Sequence, residues 1–398
     1  MPWKKSSIVL ERERFALAAL RGRKSFTQLC ADFGVSRKCG YKWLARYRAA
    51  GAAGLSDRSR RPRHCARRKP AHWQRAVRQV RRARPHWGAR KIWQRLRQLH
   101  PRVRLPAVRT IGRWLRAMGL LGPQLRRARR GPAVPHPGLT TPRRCHQVWT
   151  LDFKGWFRTA DGLRQEPLTV REAKSRYLLD IRLLPDQSDP AARRAMTRLF
   201  RRHGLPAAIR VDNGAPFGGK GALGLSRLSV WWLRLGIRVE FTRRARPGDN
   251  AAHEQMHRCY KAEVLDPPAA DRRAQQRRSD RWRHDYNQRR PHEALAQRTP
   301  ASLYQPSPRR CPHILPPLLY PPRWAARRVR PHGEIKWQGR LRFIGRAFVG
   351  QIVGLHPLSA SHCAVHLGPL LIGHLHAADA AGMRPARWQR LPEKPLKL

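Results

Sequence analysis

The chain has 398 residues, 41% of them hydrophobic, and carries 85 Lys and Arg against 24 Asp and Glu, for a formal net charge of +61. That length accommodates two to four domains with a sizeable core, and charge of that size opposes compaction unless a polyanion screens it; nucleic acid fits, because neutralising phosphates releases counterions. No apolar run is long enough to span a bilayer and no signal peptide follows Met1-Pro2-Trp3-Lys4-Lys5, while seven singly spaced Cys without a CxxC pair exclude a disulfide framework or a zinc ribbon and fit a reducing cytoplasm.

Residues 1–56 read as a helix-turn-helix domain. Apolar spacing predicts helices over Ile8–Leu20 and Phe26–Phe33. Gly34 supplies a tight turn and Ser36 an N-cap for a third helix, Arg37–Arg48. That third helix offers Arg37, Lys38, Lys42 and Arg46 on its outer face, with Tyr41, Trp43, Leu44 and Tyr47 counted on its packing side. Recognition helices lead with their N-terminal residues, so Arg37 and Lys38 suit base edges, and Lys42 and Arg46 suit phosphates. A bundle with a solvated basic face is the blander reading.

Residues 57–70 form an Arg- and Pro-rich basic linker, in which His64-Cys65, taken with His86, matches no zinc-ligand spacing. Residues 71–122 repeat the three-helix theme, with helices over His72–Arg84, from Trp87-Gly88-Ala89-Arg90-Lys91-Ile92 onward, and from Pro106 to Gly119. A Pro-, Gly- and Arg-rich hinge occupies 123–143.

From Val148 the period changes, and residues 144–305 read as an α/β core. Strands are expected at Val148–Phe157, Pro167–Glu172 and Tyr177–Leu184, then a helix from Pro190 to His203. A strand Ala208–Val211, a helix Leu225–Leu235, a strand Ile237–Thr242, and helices Asn250–Leu265 and Arg272–Tyr286 follow. A run of strands followed by alternating helix and strand predicts a mixed sheet. Residues 306–324 form a Pro-rich linker. Short apolar runs divided by Gly in 325–398 suggest a small β-barrel-like domain with a basic tail.

In so basic a chain the carboxylates stand out. Asp152 sits within the apolar run Val148-Trp149-Thr150-Leu151-Asp152-Phe153, and a lone buried Asp needs a partner or a metal. Asp212 follows a short strand at the turn Asp212-Asn213-Gly214, and Glu254 lies near a helix start in His253-Glu254-Gln255-Met256-His257. Two strand ends and a helix start can gather three carboxylates around Mg²⁺ or Mn²⁺. Taken singly, a strand Asp is often structural, Asp-Asn-Gly is a common turn, and Glu254 could complement a helix dipole. Lys261 follows Glu254 by two helical turns and shares its side. His257, one turn on, could contact substrate or orient Glu254. Trp231-Trp232 reads as core.

These motifs resemble bacterial insertion-sequence transposases with a retroviral-integrase-type DDE core. The resemblance runs through Ser36-Arg37-Lys38, Tyr41-Lys42-Trp43-Leu44 and Trp87-Gly88-Ala89-Arg90-Lys91-Ile92. It continues in Trp149–Gly155, Asp212-Asn213-Gly214 and Asn250–Lys261, and ends in Tyr286-Asn287, Arg290-Pro291-His292-Glu293-Ala294-Leu295 and Thr299-Pro300. It implies a multidomain protein: all-α helix-turn-helix modules, an RNase H-like core and a catalytic triad on Asp152, Asp212 and Glu254, which would also ligate two Mg²⁺ or Mn²⁺ ions. It further implies binding to double-stranded transposon ends and target DNA, cleavage at the ends, and joining of the freed 3′-OH. Arg37, Lys38, Lys42, Arg46, His257 and Lys261 are then the expected DNA contacts, with a homo-oligomer acting on DNA in the cytoplasm at the nucleoid. The family usually has Gly where Ala251 stands; a positive φ there would strain Ala. A regulator without the chemistry would keep the helical modules and dispense with the carboxylates, and a general nuclease would have little use for those modules.

Overall fold

The computed structural model describes residues 7–59, 70–121, 138–243, 247–380 and 382–386, and the chain divides into two compact units, residues 1–69 and 70–398. His64, Cys65, residues 122–137 of the expected hinge and the tail beyond residue 386 lie outside the described residues.

The first unit contains α1 (Ile8–Arg21), α2 (Phe26–Asp32) and α3 (Arg37–Ala50). Each helix begins on a serine: the hydroxyls of Ser7, Ser25 and Ser36 accept from the backbone N–H of Leu10, Gln28 and Cys39. These are donors that the first turn of a helix cannot satisfy itself. Gly34 turns the chain at φ +62° between α2 and α3. Gly40 lets α3 approach closely, since a Cβ there would meet Cys30 Sγ at 2.7 Å and Phe15 at 2.8 Å. Trp43 and Leu44 are buried, but Tyr41 is not on the packing side: it is 52% exposed and stacks on Phe26 with ring centroids 4.1 Å apart. At three residues from Leu44 it falls on the rim of the apolar stripe.

The second unit opens with α4 (Ala71–Ala83), α5 (Ala89–Leu99) and α6 (Val108–Ala117). They close over Val77, Trp87, Ile92, Leu96, Ile111 and Leu115, all fully or almost fully buried. Burial of each aliphatic side chain contributes roughly 1.5–3 kcal/mol.

The central sheet is built from β1 (Val148–Phe153), β2 (Phe157–Arg158), β3 (Arg164–Glu172) and β4 (Leu178–Leu184). After α7 (Asp189–His203) come β5 (Ala208–Val211), α8 (Arg227–Arg234) and β6 (Arg238–Phe241). β3 pairs antiparallel with β4, with β1 and with the short β2, while β1, β5 and β6 run parallel. The expected single strand Val148–Phe157 is thus interrupted, because Gly155 turns at φ +87°. α9 (Ala251–Tyr260) and α10 (Arg272–Gln288) complete the core. α9 does not run to Leu265 as a regular helix: Lys261–Leu265 widens into a π turn, where Glu263 accepts from Trp282 Nε1 and from Arg290.

One face of the sheet packs on α7 and α8, the other on α9 and α10 through Leu178, Ile181, Met256, Tyr260, Val264 and Tyr286. The signature Tyr286-Asn287 serves this second face. The Asn287 side chain accepts from Leu178 N at 2.8 Å and donates to Leu178 O at 2.9 Å, standing in for a ladder partner along β4.

The C-terminal strands are β7 (Ala325–Arg328), β8 (Glu334–Trp337), β9 (Arg340–Phe343), β10 (Ile352–Ser359), β11 (His362–Leu367), β12 (Leu370–His376) and β13 (Arg384–Pro385). They do not form a barrel. The sheet is open, ordered β13-β12-β11-β10-β7, beside a separate β8–β9 hairpin. Closure requires edge strands to pair. Here the apolar face is covered instead: Ile335, Phe348, Val353, Val365 and Ile372 join Trp231, Trp232 and Leu233 of α8 in one continuous core.

Candidate active site

The pleat of β1 sets up the site. Trp149 and Leu151 enter the core shared with α7 and α8, while Thr150 and Asp152 point the other way, towards α9. From α9, His253 and His257 descend one turn apart onto this face. His253 Nδ1 lies 2.8 Å from Thr150 Oγ1. Its Nε2 and the Nε2 of His257 both lie 2.7 Å from Thr169 Oγ1. Thr169, opposite Asp152 in the ladder, donates its hydroxyl proton to the Asp152 carbonyl at 2.9 Å.

That donation assigns the tautomers. Having given away its only proton, Thr169 can only accept from both histidines, so each is protonated at Nε2. The free Nδ1 lone pair of His257 then faces Asp152 Oδ2, 3.7 Å away. Burial, followed by Lys154 and Arg171, lowers the His257 pKa to about 3. Burial, His257 and Arg171 hold His253 well below the usual imidazole range. Both rings are neutral.

Asp152 behaves oppositely. Burial first, then the negative charges of Asp212 and Glu254, raise its pKa to about 7, against a backbone hydrogen bond from Phe153 and the charge of Lys154. Asp212 stands just beyond β5. Desolvation by its turn raises its pKa, against hydrogen bonds from the backbone N–H of Gly214 and its own N–H. Asp212 is exposed as a residue, so this shift weighs less than that of Asp152. The turn is tight around the carboxylate: a Cβ on Gly214 would sit 3.0 Å from Asp212 Oδ2. Asn213 Nδ2 ties the turn to Thr242 O at 2.6 Å. Glu254 is exposed in the first turn of α9.

The three carboxylates therefore share one electrostatic field. Oxygen donors of this kind suit a hard divalent cation. Among the described residues, however, no three His, Cys, Asp or Glu side chains are assembled closely enough to hold an ion as they stand. The donor set fits Mg²⁺ or Mn²⁺ chemically, and its mutual repulsion is what a cation would relieve. Ala251 fits without strain, since it is the first residue of α9, follows Asn250 at φ −127°, and is not at positive φ.

A helix-turn-helix domain family matches residues 11–63, a homeodomain-like family 39–115, and an integrase core domain family 235–300. The last contains Glu254 and the Arg290–Leu295 signature; Asp152 and Asp212 precede it. The uncharacterized 31.7 kDa protein of insertion element IS407 from Burkholderia multivorans (strain ATCC 17616 / 249) is 29% identical over 179 residues, 45% of this chain and 62% of that protein. The chain is therefore similar to an insertion-element protein and combines helix-turn-helix matches with an integrase core match. Solved structures overlap it loosely. The HTLV-2 integrase catalytic core domain in complex with magnesium is 12% identical, covering 42% of this chain and all of that one at a TM-score of 0.33. The simian T-cell lymphotropic virus intasome is 14% identical, covering 76% and 99% at 0.36.

Arg37, Lys38 and Lys42 are exposed on α3. Arg46 is half-buried and lays its guanidinium 4.9 Å from the Trp43 ring centroid, and Lys42 Nζ lies 4.5 Å from the same ring. Lys261 is exposed on the side of α9 that carries Glu254, because the π turn begins only at that residue. His257 is buried against Thr169 and Asp152 rather than turned outward. The sequence reading passed over Thr150, Thr169 and His253. Their signal was the pair of histidines four apart flanking Glu254, and threonines alternating with core residues on two strands. Trp231 and Trp232 are both buried.

Proposed function

We propose that this protein binds the ends of an insertion sequence and catalyses metal-dependent DNA cleavage and strand transfer at Asp152, Asp212 and Glu254. The observation that carries the reading is the Asp152 carboxyl, raised to about 7 by burial and by the two other acids. In a chain of net charge +61, a half-buried acid that feels two others is a costly arrangement that a cation site explains.

Asp152 and Asp212 would hold two Mg²⁺ or Mn²⁺ ions, with Glu254 completing the set; such ions supply stabilisation of the attacking and leaving oxygens at phosphorus. Water attacks the end phosphodiester first, and the released DNA 3′-OH attacks target DNA next, so no covalent enzyme intermediate is formed. Thr169 fixes the backbone at Asp152, and His257 packs beside its carboxyl. Arg37, Lys38, Lys42, Arg46 and Lys261 supply DNA contacts. His257 acts from beneath the site. Holding two ends calls for a homo-oligomer on DNA. No helix of the described residues is long and apolar enough to cross a membrane, and we place the reaction in the cytoplasm, at the nucleoid.

The test incubates the purified full chain with duplex DNA flanking its own gene, with Mg²⁺ or EDTA, beside Asp152→Ala. Nicking at the element's ends that needs Mg²⁺ and is lost in the variant, with end binding retained, supports the reading. Specific end binding without nicking in Mg²⁺ would replace it with a DNA-binding regulator.

A further inference from the structure

Two sequence signatures far apart in the chain meet in space. Arg90, from Trp87–Ile92 at the start of α5, donates to Glu293 Oε1 at 2.6 Å; Arg84, at the end of α4, pairs with Asp285. Between these helices and the core lies a cavity of about 370 Å³ lined by Lys91, Arg176, Cys259, Tyr286, Arg290 and His292. Its floor includes Ala252 and Gln255 of α9, which bracket Glu254 within two residues on either side.

The cavity is short of negative charge. Glu293 lines it too but is engaged by Arg90, and Glu263 is held by Arg290 Nη1 at 2.9 Å to each oxygen. Nearby Glu172 already accepts from Ser175, Lys174 and His146. Two buried groups are left without partners among the described residues: His292 Nε2, and both Nε and Nη1 of Arg171. His292 is 9% exposed and lines the cavity; Arg171 is 3% exposed, close enough to Tyr286 and His292 to act on both electrostatically. Burying unpaired polar groups beside like charges is costly unless an anion compensates the charges. Arg and Lys converging from separate elements are how proteins hold phosphate.

We propose that this cavity is a phosphate site that grips a backbone phosphate of the DNA strand being processed, so that α5 and α9 close on that strand together. The proposal rests on the DNA-processing reading above for the source of the phosphate. Lys91 and Arg176 supply cations that have no acidic partner among the described residues, His292 a further polar contact, and Arg171 the buried charge behind them.

Cys259, half-buried in the cavity wall, gives a local readout. The full-length protein is alkylated with a thiol reagent, and modification of Cys259 is followed by mass spectrometry with Cys311 as internal reference. Flank duplex at ten times its dissociation constant should slow Cys259 about tenfold, and saturating inorganic phosphate should do likewise. Protection by both should vanish in Lys91→Gln and in Arg176→Asn; Asn suits the φ of +62° at that position. Circular dichroism confirms that each variant is folded, and a protected Arg176→Asn variant overturns the site even if Lys91→Gln unfolds. If the duplex binds in a mobility shift yet leaves Cys259 at its free rate, this proposal fails while the transposase reading stands. If no duplex binds, that reading fails, and protection by inorganic phosphate alone overturns the DNA assignment in favour of a free-anion site.

Discussion

His257 Nδ1 faces Asp152 Oδ2 across 3.7 Å, while its Nε2 is anchored on Thr169, which also bonds the Asp152 backbone. One imidazole thus ties the strand that presents the carboxylate to the helix that carries Glu254. Losing it opens space beside the Asp152 carboxyl and leaves the Thr169 hydroxyl with one of its two imidazole donors. His257→Ala should raise the Mg²⁺ concentration needed for nicking, because the Asp152 carboxyl loses the ring packed beside it. Saturating Mg²⁺ should recover much of the rate. A variant with unaltered Mg²⁺ dependence would make His257 a packing residue only.

Asp152 is ionised at a cost in the metal-free protein. Its folded pKa of about 7 lies above the ordinary 3.8, so the folded state holds the proton more tightly than the unfolded chain. Its contribution is therefore most favourable at acid pH and is lost as pH rises from about 4 through about 7. Asp152→Asn should accordingly raise the melting temperature of metal-free protein at pH 8, by on the order of 1 kcal/mol of stability. It should also abolish the stabilisation that Mg²⁺ gives the wild type. Thermal melts with and without EDTA measure both effects; a destabilised Asp152→Asn would contradict the repulsion on which the site is built.

The same proton competes with the metal. Below about pH 7 a cation must displace it from Asp152, so apparent Mg²⁺ affinity should fall about tenfold per pH unit for each proton released. His257 and His253 do not interfere, since both stay neutral in this range. At limiting Mg²⁺ the nicking rate should drop between pH 7.5 and 6 and be restored by more Mg²⁺. A rate set by pH irrespective of Mg²⁺ would assign the titration to another group.

The sheet and the helix starts were legible because their signals are local: serine caps and alternating apolar residues on β1; the three carboxylates stood out only as acids isolated in a basic chain. Tertiary features were not. Nothing local in Lys261–Leu265 announces that Glu263 will be drawn to Arg290 and Trp282 and widen the turn. Short apolar strands in 325–398 read equally as a barrel or an open sheet, and only the fold shows the open sheet sharing one core with the central domain. The role of Thr169 depends on a cross-strand register that only the folded sheet reveals.

Ala251 separates a sequence habit from a structural need. Glycine is usual there in the family it resembles, yet the residue opens α9 in ordinary helical conformation. Ala251→Gly should leave nicking no faster and destabilise the protein by about 0.5–1 kcal/mol through lost helix propensity. Faster nicking in the glycine variant would show that this helix start must rearrange during the reaction.

On α3 the two pairs of basic residues should separate by experiment. Arg46 packs its guanidinium against Trp43, whose ring also carries Arg12 at 3.7 Å, so it belongs as much to the domain's fold as to its surface. Arg46→Ala should lower thermal stability by about 1 kcal/mol, as expected for loss of a cation–π contact with its packing. Arg37 and Lys38 are exposed in the first turn and touch nothing that Ala would disturb in the core. Arg37→Ala and Lys38→Ala should keep the melting temperature and lose about 1–3 kcal/mol of binding to flank DNA, with a smaller loss on scrambled duplex. Equal losses on the two duplexes, with a salt slope reduced by about 1, would make these residues phosphate contacts and shift sequence reading to another element.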